Sequence, residues 1–466
     1  MPDNKPISLV GRDPAVVRPF LESLFAKFNA HGIVWAVMRG WAHLPDYVRY
    51  DVDFLVAWKS LPDVLQRARE VAVKMGWLEF NSYRTSSLTS LWFLLERADE
   101  VCYLRLDFLT ESSLRGIPFL DSTAWLQQRI RRADGLYHLD IGYSACCILV
   151  KECLANGFLA GELRYQQIRN AVTFSPENYQ RALSDVFPKD RELVEIIMEL
   201  SAKEDWGTIA QLSGRMHQNV FHFRWRILFS VLRYLFDVAR IQLFPCLRLF
   251  VAFVGPDGCG KTTVADGIVK HFEYRPFVRF YRIHSHFGML PRLRNIKKTI
   301  YCLFGRKIEF APEPPSGTHH IGMQKPLTRI RSMFYVLYYG IGLWLGRLKL
   351  LCWRSFAGMI LADRYYYDYY YMRGHLNCPK WWLDLIGLVV PKPHFVFYLD
   401  RPAEEIYQQK PELDVAEIKR QQTAICRCFQ NHRNFVFVDA SKGVEETARL
   451  VSREIEKWLI ARGRPR

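Results

Sequence analysis

One stretch of the chain, residues 249–272, restricts the fold more than any other. The uncharged apolar run LFVAFV (residues 249–254) predicts a strand buried within a parallel sheet. The loop GPDGCGKT (residues 255–262) matches the pattern GxxxxGK[ST], and a segment with helical periodicity follows it. Glycines between a strand and a helix N-terminus allow backbone N–H groups to surround phosphate oxygens. The stretch therefore predicts a nucleoside triphosphate site.

The side chains of this loop predict specific roles. Lys261 would reach the β- and γ-phosphates of ATP, and the Thr262 hydroxyl would ligate Mg²⁺. The predicted ATP-binding residues are Gly255, Asp257, Gly258, Gly260, Lys261, Thr262 and Thr263.

Strand and helix patterns alternate after the loop. Short apolar runs lie at residues 278–283, 358–361, 395–399 and 435–438, and helical patterns cover residues 415–430 and 444–459. Such alternation is typical of an α/β fold with a doubly wound parallel sheet.

These segments resemble the thymidylate kinase family in order and in composition. The stretches that carry the resemblance are FVGPDGCGKTT, GMILADRYYYD, PKPHFVFYLDRPAEEIY, KPELD and FVFVDASKGVEETARLVSREI, and they span about Arg248 to Leu459. The resemblance implies a P-loop kinase that uses ATP and Mg²⁺. After its Asp-Arg-Tyr the family carries a segment that faces thymine, whereas this chain reads YYDYYYMRGHLN. We therefore expect an acceptor other than thymidylate.

The resemblance also implies roles for single residues. Lys261, Asp363, Arg364 and Lys410 would be catalytic, with Lys410 as the cation of the lid. Thr262 and Asp363 would lie on the metal side of the phosphates. The acceptor would meet Asp257, Arg282, Arg292, Arg364 and Tyr365. An arginine fork suits a phosphate, but Arg364 could instead form an ion pair with Asp363 or Asp368.

Charge is distributed unevenly along the 466 residues. The net charge is +17, and residues 241–466 hold 35 Lys and Arg against 19 Asp and Glu, compared with 29 against 28 in residues 1–240. The excess predicts an anionic partner for the second half. No secretory signal or spanning apolar run is evident, and no CxxC pair occurs among the 11 cysteines. These features favour a cytoplasmic protein with reduced thiols.

The basic, aromatic segment after residue 274 permits several interpretations. Nine Lys and Arg and no acid lie in residues 274–308, and the stretch RIRSMFYVLYYGIGLWLGRLKLLCWRS follows. It could contact a phosphorylated acceptor or an anionic membrane surface. Binding of single-stranded nucleic acid is the least favoured interpretation, since the sequence contains no recognisable nucleic-acid-binding module. For residues 333–351 we favour an amphipathic helix that covers the sheet with its polar face in water.

In the first half, three aspartates stand out. Asp51 and Asp53 are two positions apart on a predicted strand, so their side chains share a face, and Asp107 lies on a later strand. Three converging carboxylates would repel one another without a cation, which predicts a Mg²⁺ site. The arrangement resembles the DNA polymerase beta-like nucleotidyltransferase family over about residues 18–110. Gly40-Trp41 stands at that family's Gly-Ser turn. A degenerate transferase, a binding domain and plain surface aspartates remain open alternatives.

We predict three parts: an α+β nucleotidyltransferase-like domain (residues 1–122), a helical subdomain with a connecting helix (123–244) and the P-loop domain (245–466). The favoured function is ATP-dependent phosphoryl transfer to a small anionic acceptor. The alternative is a nucleotide-gated binding or regulatory protein without turnover. Peripheral contact with the inner membrane surface and a homodimer stay open.

Overall fold

The computed structural model describes two compact units. Described residues are 14–464 except 49–50, 99, 115, 121, 160, 222–224, 245–246, 274–275, 278, 285–288, 292, 294–295, 297–327, 353–356, 373–376 and 430–431. The first unit comprises the described parts of Met1–Ile241 and Leu459–Arg466, and the second comprises those of Gln242–Trp458. The first unit joins the two predicted parts 1–122 and 123–244. The grouping of the final residues with the first unit departs from the predicted domain 245–466.

The first unit is built on a mixed sheet. Its strands are β1 (Trp35–Val37), β2 (Val52–Val56), β3 (Leu78–Arg84), β4 (Leu88–Glu96), β5 (Val101–Leu109), β8 (Ile130–Arg131) and β9 (Tyr137–His138), in the order β3-β4-β5-β2-β1-β9-β8. The hairpin β6 (Ser112–Leu114) and β7 (Ile117–Leu120) forms a separate pair. Strands β2 and β5 run parallel, whereas β1 and β2 run antiparallel.

The described part of this unit has ten helices, some of which pack on the two faces of the sheet and others on neighbouring helices. They are α1 (Pro14–Ala30), α2 (Leu61–Lys74), α3 (Ser122–Gln127), α4 (Ile141–Asn156), α5 (Glu162–Phe174), α6 (Pro176–Val186), α7 (Arg191–Ala202), α8 (Trp206–Gln211), α9 (Ser213–Val220) and α10 (Trp225–Leu243). Side chains alternate between faces along a strand. Trp35 and Val37 accordingly pack against α1 and α2, whereas Ala36 packs in a core with α4. The central strands β1 and β2 are therefore buried on both faces of the sheet.

The second unit has a five-stranded parallel sheet. Its strands are β10 (Leu247–Val254), β11 (Arg279–His284), β12 (Ala357–Arg364), β13 (Phe395–Asp400) and β14 (Phe435–Asp439), in the order β11-β12-β10-β13-β14. Its helices are α11 (Lys261–Phe272), α12 (Arg329–Cys352), α13 (Lys380–Val389), α14 (Ala403–Gln409), α15 (Val415–Phe429) and α16 (Val444–Gly463), and α16 ends in the residues assigned to the first unit. The parallel sheet confirms the predicted fold type for this half.

Several local predictions need correction. Strand β2 begins at Val52, so Asp51 precedes it instead of lying on it. Strands β3 and β6 to β9 were not predicted, because they are short or lack clear alternation. Within residues 333–351 the exposed face of α12 is mainly apolar instead of polar: Phe334 is 68% exposed and Leu348 is 54% exposed.

A close crossing of α4 and α6 gives a stability prediction. A Cβ on Gly142 would lie 2.4 Å from the backbone nitrogen of Tyr179, so Gly142→Ala must push the two helices apart. We expect a loss of about 1–3 kcal/mol in the free energy of unfolding, measured by urea denaturation of the first unit's transition. Gly214→Ala is the control, because a Cβ there has no neighbour within 4 Å. Equal stability of the two variants would contradict the packing argument.

Candidate functional site

The phosphate-binding loop follows the central strand of the parallel sheet. Strand β10 ends at Val254, and α11 begins at Lys261. Gly258 and Gly260 have φ values of 94° and 93°, which side chains with a Cβ rarely adopt. The loop therefore favours glycine at both positions, of which the motif specifies Gly260 and leaves position 258 open. Ligands of open α/β sheets bind at this carboxyl edge.

Lys261 lies in the centre of the loop. Its ammonium donates hydrogen bonds to the carbonyls of Gly255 (2.7 Å) and Pro256 (2.8 Å) and is 3.8 Å from the Asp257 carboxylate. The residue is only 7% exposed. A positive charge is thus held where the loop would receive phosphate oxygens.

Thr262, in the first turn of α11, meets Asp363 at the carboxyl end of strand β12. The Thr262 hydroxyl donates to Asp363 Oδ2 over 3.3 Å. The other oxygen of Asp363, Oδ1, is buried and has no hydrogen-bond partner. A buried carboxylate oxygen without a donor is costly unless a cation neutralises it. Hydroxyl and carboxylate oxygens are ligands that Mg²⁺ accepts, so the pair fits the predicted metal position.

Arg364 forms its ion pair across the loop. Its Nη2 lies 2.7 Å from both carboxylate oxygens of Asp257. The sequence offered Asp363 or Asp368 as partners for an alternative ion pair of Arg364, and the ion pair in the structure is with Asp257 instead. The contact joins two residues that were both predicted to face the acceptor.

Lys410 lies against the same loop. It follows α14, and its Cβ is 3.1 Å from the position that a Cβ on Gly258 would take. Its ammonium is 3.1 Å from Glu412, and its side chain is 42% exposed. The start of the Lys410 side chain therefore lies beside the phosphate loop and its ammonium is engaged by Glu412, so its role as the cation of a lid stays a prediction.

The remaining predicted acceptor residues are less closely grouped. Arg282 lies on the edge strand β11 and pairs with Asp266 of α11. The Tyr365 side chain is packed in the core, and its hydroxyl donates to the carbonyl of Pro391 (2.6 Å). Arg292 lies outside the described residues. Acceptor contact by these residues stays a prediction.

Sequence reasoning missed a buried pair behind the loop. The Tyr371 hydroxyl accepts a hydrogen bond from the Gly255 N–H (3.1 Å) and donates one to Asp368 (2.8 Å). Burial raises the pKa of Asp368 to about 6, against the opposing influence of Lys261. The sequence feature that could have indicated this pair is the spacing of three between Asp368 and Tyr371.

The three aspartates of the first unit converge. Asp53 and Asp107 are paired across the parallel strands β2 and β5, and Asp51 precedes β2. One oxygen from each carboxylate lies within 4.8 Å of the others. The predicted convergence is therefore observed, and the donor set suits a hard divalent cation.

Two arginines that the sequence analysis missed balance part of this charge. Arg39 donates to Asp53 (2.5 Å), and Arg105 donates to Asp107 through Nε (2.9 Å) and Nη2 (2.5 Å). Arg105 Nη1 is 3.9 Å from Asp51. The position of Arg105 two residues before Asp107 on one strand was the available signal, since both side chains face the same way.

Asp51 is the least compensated of the three carboxylates. Burial raises its pKa to about 6, and the charges of Asp53 and Asp107 add to that rise. Burial also raises the pKa of Asp107, although Arg105 opposes it. With three carboxylates and two guanidinium groups, the fully ionised cluster keeps a net negative charge that a cation would neutralise.

The turn before this cluster departs from the nucleotidyltransferase pattern. Gly40 has a φ of 69° and precedes a short 3₁₀ helix, Trp41–His43. The Trp41 ring, at the position of the family's serine, stacks on His138 with centroids 3.7 Å apart. The turn therefore has the expected glycine, and an aromatic side chain replaces the expected hydroxyl.

Comparisons with known proteins bear on about half of the chain. No protein-family model matches it. A "Probable thymidylate kinase 1" of Saccharolobus solfataricus is 24% identical over 223 residues, which cover 46% of this chain and all of that protein. The crystal structure of thymidylate kinase from Ehrlichia chaffeensis is 14% identical in sequence, and the match covers 45% of this chain and 98% of that chain. The TM-score of this match is 0.27. At the family level, the sequence relative indicates a nucleotide phosphotransferase, and thymidylate kinase-like homology extends over about 45% of the chain.

Proposed function

We propose that the second unit transfers a phosphoryl group from ATP to a small anionic acceptor other than thymidylate. The observation that carries the proposal is the assembly of Lys261, Thr262 and Asp363 at one strand edge, with a buried carboxylate oxygen left unpaired. Phosphoryl transfer depends mainly on positioning and charge neutralisation, which such a group of side chains supplies.

Each side chain has a defined task in this scheme. The Lys261 ammonium exchanges its two loop carbonyls for phosphate oxygens. Thr262 and Asp363 would hold Mg²⁺, which would supply positive charge to the phosphates. Arg364 offers its guanidinium to the acceptor phosphate, and Asp257 orients that group. Lys410 covers the transferring phosphoryl group from the side of Gly258.

The acceptor assignment rests on the tyrosine-rich segment. Residues 365–371 follow Arg364 where the family's thymine-facing segment begins, and Tyr366 and Tyr371 are buried in the core. Tyr366 donates to the Leu383 carbonyl (2.6 Å), so its hydroxyl is engaged in the fold. Because Tyr366 and Tyr371 are engaged in packing, fewer side chains of this segment are available for reading thymine, which supports a different acceptor.

We further propose that the first unit binds a divalent cation at Asp51, Asp53 and Asp107 and acts as a nucleotidyltransferase. The convergence of three carboxylate oxygens within 4.8 Å favours this function over plain surface aspartates. A nucleotide-gated binding protein is the competing interpretation of the whole chain. Slow ATP hydrolysis that no nucleotide or sugar-phosphate acceptor stimulates would favour it.

Lys261→Ala tests the kinase proposal. We expect transfer of label from γ-labelled ATP to fall at least about a hundredfold across a panel of nucleotide and sugar-phosphate acceptors, because the central cation of the loop is lost. Lys270→Ala removes an exposed lysine from the same helix and should leave the rate unchanged. Acceptor labelling that survives Lys261→Ala would remove the loop from the reaction.

Asp363→Asn tests the metal position. Asparagine keeps the shape but not the charge, so the Mg²⁺ concentration for half-maximal transfer should rise roughly 10–100-fold. Asp384→Asn is the matched control, since Asp384 pairs with Lys380 at the surface. The titration compares initial rates at fixed ATP, and identical Mg²⁺ curves for the two variants would refute the assignment.

Asp51→Asn distinguishes the cost of ionising Asp51 in the folded protein from its role in metal binding. The pKa of Asp51 is raised from 3.8 to about 6 in the folded protein, so its ionisation opposes folding increasingly as the pH rises through this interval. Without metal the variant should gain stability of the order of 1–3 kcal/mol above about pH 6 and little below about pH 4. Thermal melting at several pH values measures this difference.

The same variant should lose the rise in melting temperature that Mn²⁺ gives the wild type, because one ligand is missing. Asp63→Asn is the control, since Asp63 is an exposed residue in the first turn of α2. A wild-type protein that shows no Mn²⁺-dependent shift would exclude the cation site.

A further inference from the structure

Helix α12 carries an apolar stripe on its outward face. Five large side chains along it are exposed: Ile330 (68%), Phe334 (68%), Ile341 (44%), Trp344 (47%) and Leu348 (54%). At about 100° per residue these positions fall within an arc of about 80°, and at 1.5 Å per residue they extend over about 27 Å. The exposed side chains therefore form a narrow line in two groups, residues 330–334 and 341–348, and the partly buried Leu337 lies between them.

Packing on the opposite side fixes this orientation. Val336 and Leu343 are buried in the core of the sheet. A Cβ on Gly340 would lie 2.3 Å from the Ile386 side chain, so α12 and α13 cross closely there. Because the buried face is tightly held, rotation of α12 to hide the stripe would break this packing.

Basic residues flank the stripe. Arg329 and Arg347 lie about 100° to one side of it and Arg331 about 100° to the other, and all three are exposed. The helix contains no Asp or Glu. Two of these arginines lie in its first turn, where the helix dipole disfavours cations. Their position is therefore better explained by an external anionic surface than by helix stability.

The charge distribution selects among possible occupants. A second copy would bring basic flanks against basic flanks, in a half of the chain that already has 35 basic against 19 acidic residues from residue 241 onward. A flat anionic lipid surface matches both the apolar stripe and its cationic borders. Among the described residues, no helix is long and apolar enough to cross a bilayer, so α12 would lie in the interface.

We infer that α12 attaches this protein peripherally to anionic membranes. Phe334, Ile341 and Trp344 enter the boundary between headgroups and acyl chains, and Arg331 and Arg347 contact anionic headgroups. The attachment is independent of phosphoryl transfer, so loss of activity does not affect it.

Cosedimentation of the full-length chain with vesicles tests the inference. Wild type should bind phosphatidylcholine vesicles that contain phosphatidylglycerol at low salt, and binding should weaken at high salt because screening reduces the arginine contribution. It should bind pure phosphatidylcholine far less. Failure to bind the anionic vesicles at low salt overturns the inference.

Two double variants locate the contact. Phe334→Ser with Trp344→Ser removes apolar contact, and Arg331→Gln with Arg347→Gln removes charge. Each should lower the partition coefficient about tenfold or more. The side chains are exposed, so circular dichroism and melting temperature should stay unchanged.

Control variants change exposed aromatic and basic side chains elsewhere in the chain. Phe174→Ser with Phe437→Ser removes two exposed aromatic rings, and Lys270→Gln with Lys442→Gln removes two exposed charges. Both control proteins should bind like wild type. Equal losses in the controls would show a non-specific effect and would overturn the assignment to α12.

Helix α10 offers a separate comparison, because Phe229 and Phe236 are 69% and 68% exposed on it. Loss of vesicle binding in Phe229→Ser with Phe236→Ser, but not in the α12 variants, would overturn the assignment.

Light scattering over a range of protein concentrations tests for a second copy. The inference is also overturned if the wild-type protein does not bind vesicles and instead forms a dimer that Phe334→Ser with Trp344→Ser dissociates.

Discussion

The parallel pairing of β10 with β12 is the constraint on which the phosphate site depends. The register places Ala252 opposite Ala362, so that both strands end at the same edge. Thr262 and Asp363 consequently meet over 3.3 Å although 101 positions separate them in the chain. A slip of one residue would turn the carboxylate to the other face of the sheet. The buried apolar strands thus hold a charged oxygen where solvent does not stabilise it.

The first unit uses the same device with a different outcome. Parallel pairing of β2 with β5 sets Asp53 beside Asp107, but the chain supplies its own cations there. Arg39 and Arg105 each bind one carboxylate, and Asp51, 3.9 Å from Arg105, keeps the least compensated cost of ionisation. In the second unit, the unpaired oxygen belongs to Asp363 itself. In the first unit, arginines already neutralise part of the negative charge that a cation would meet, whereas in the second unit one oxygen of Asp363 has no hydrogen-bond partner.

The tyrosine-rich segment links packing to the loop. Tyr365 and Tyr366 fill the core beneath α12 and α13, and each hydroxyl donates to a carbonyl. Tyr371 instead binds the first amide of the phosphate loop and the buried Asp368. Most of this run therefore supports the sheet, and one member positions the loop. Such a division explains why composition alone gave no single role for the segment.

The sequence by itself determined the strand, loop and helix around residues 249–272, because glycine conformation and side-chain periodicity are local properties. It also located the three aspartates, since a spacing of two along an extended chain turns Asp51 and Asp53 to one face and Asp107 lies on a later predicted strand. Tertiary structure alone decided that Arg364 pairs with Asp257, that two arginines neutralise the aspartates, and that α12 exposes its apolar stripe. Each of these depends on which distant side chains fold into contact. Helical periodicity defines opposite faces of α12, but only packing against the sheet decides which face is buried.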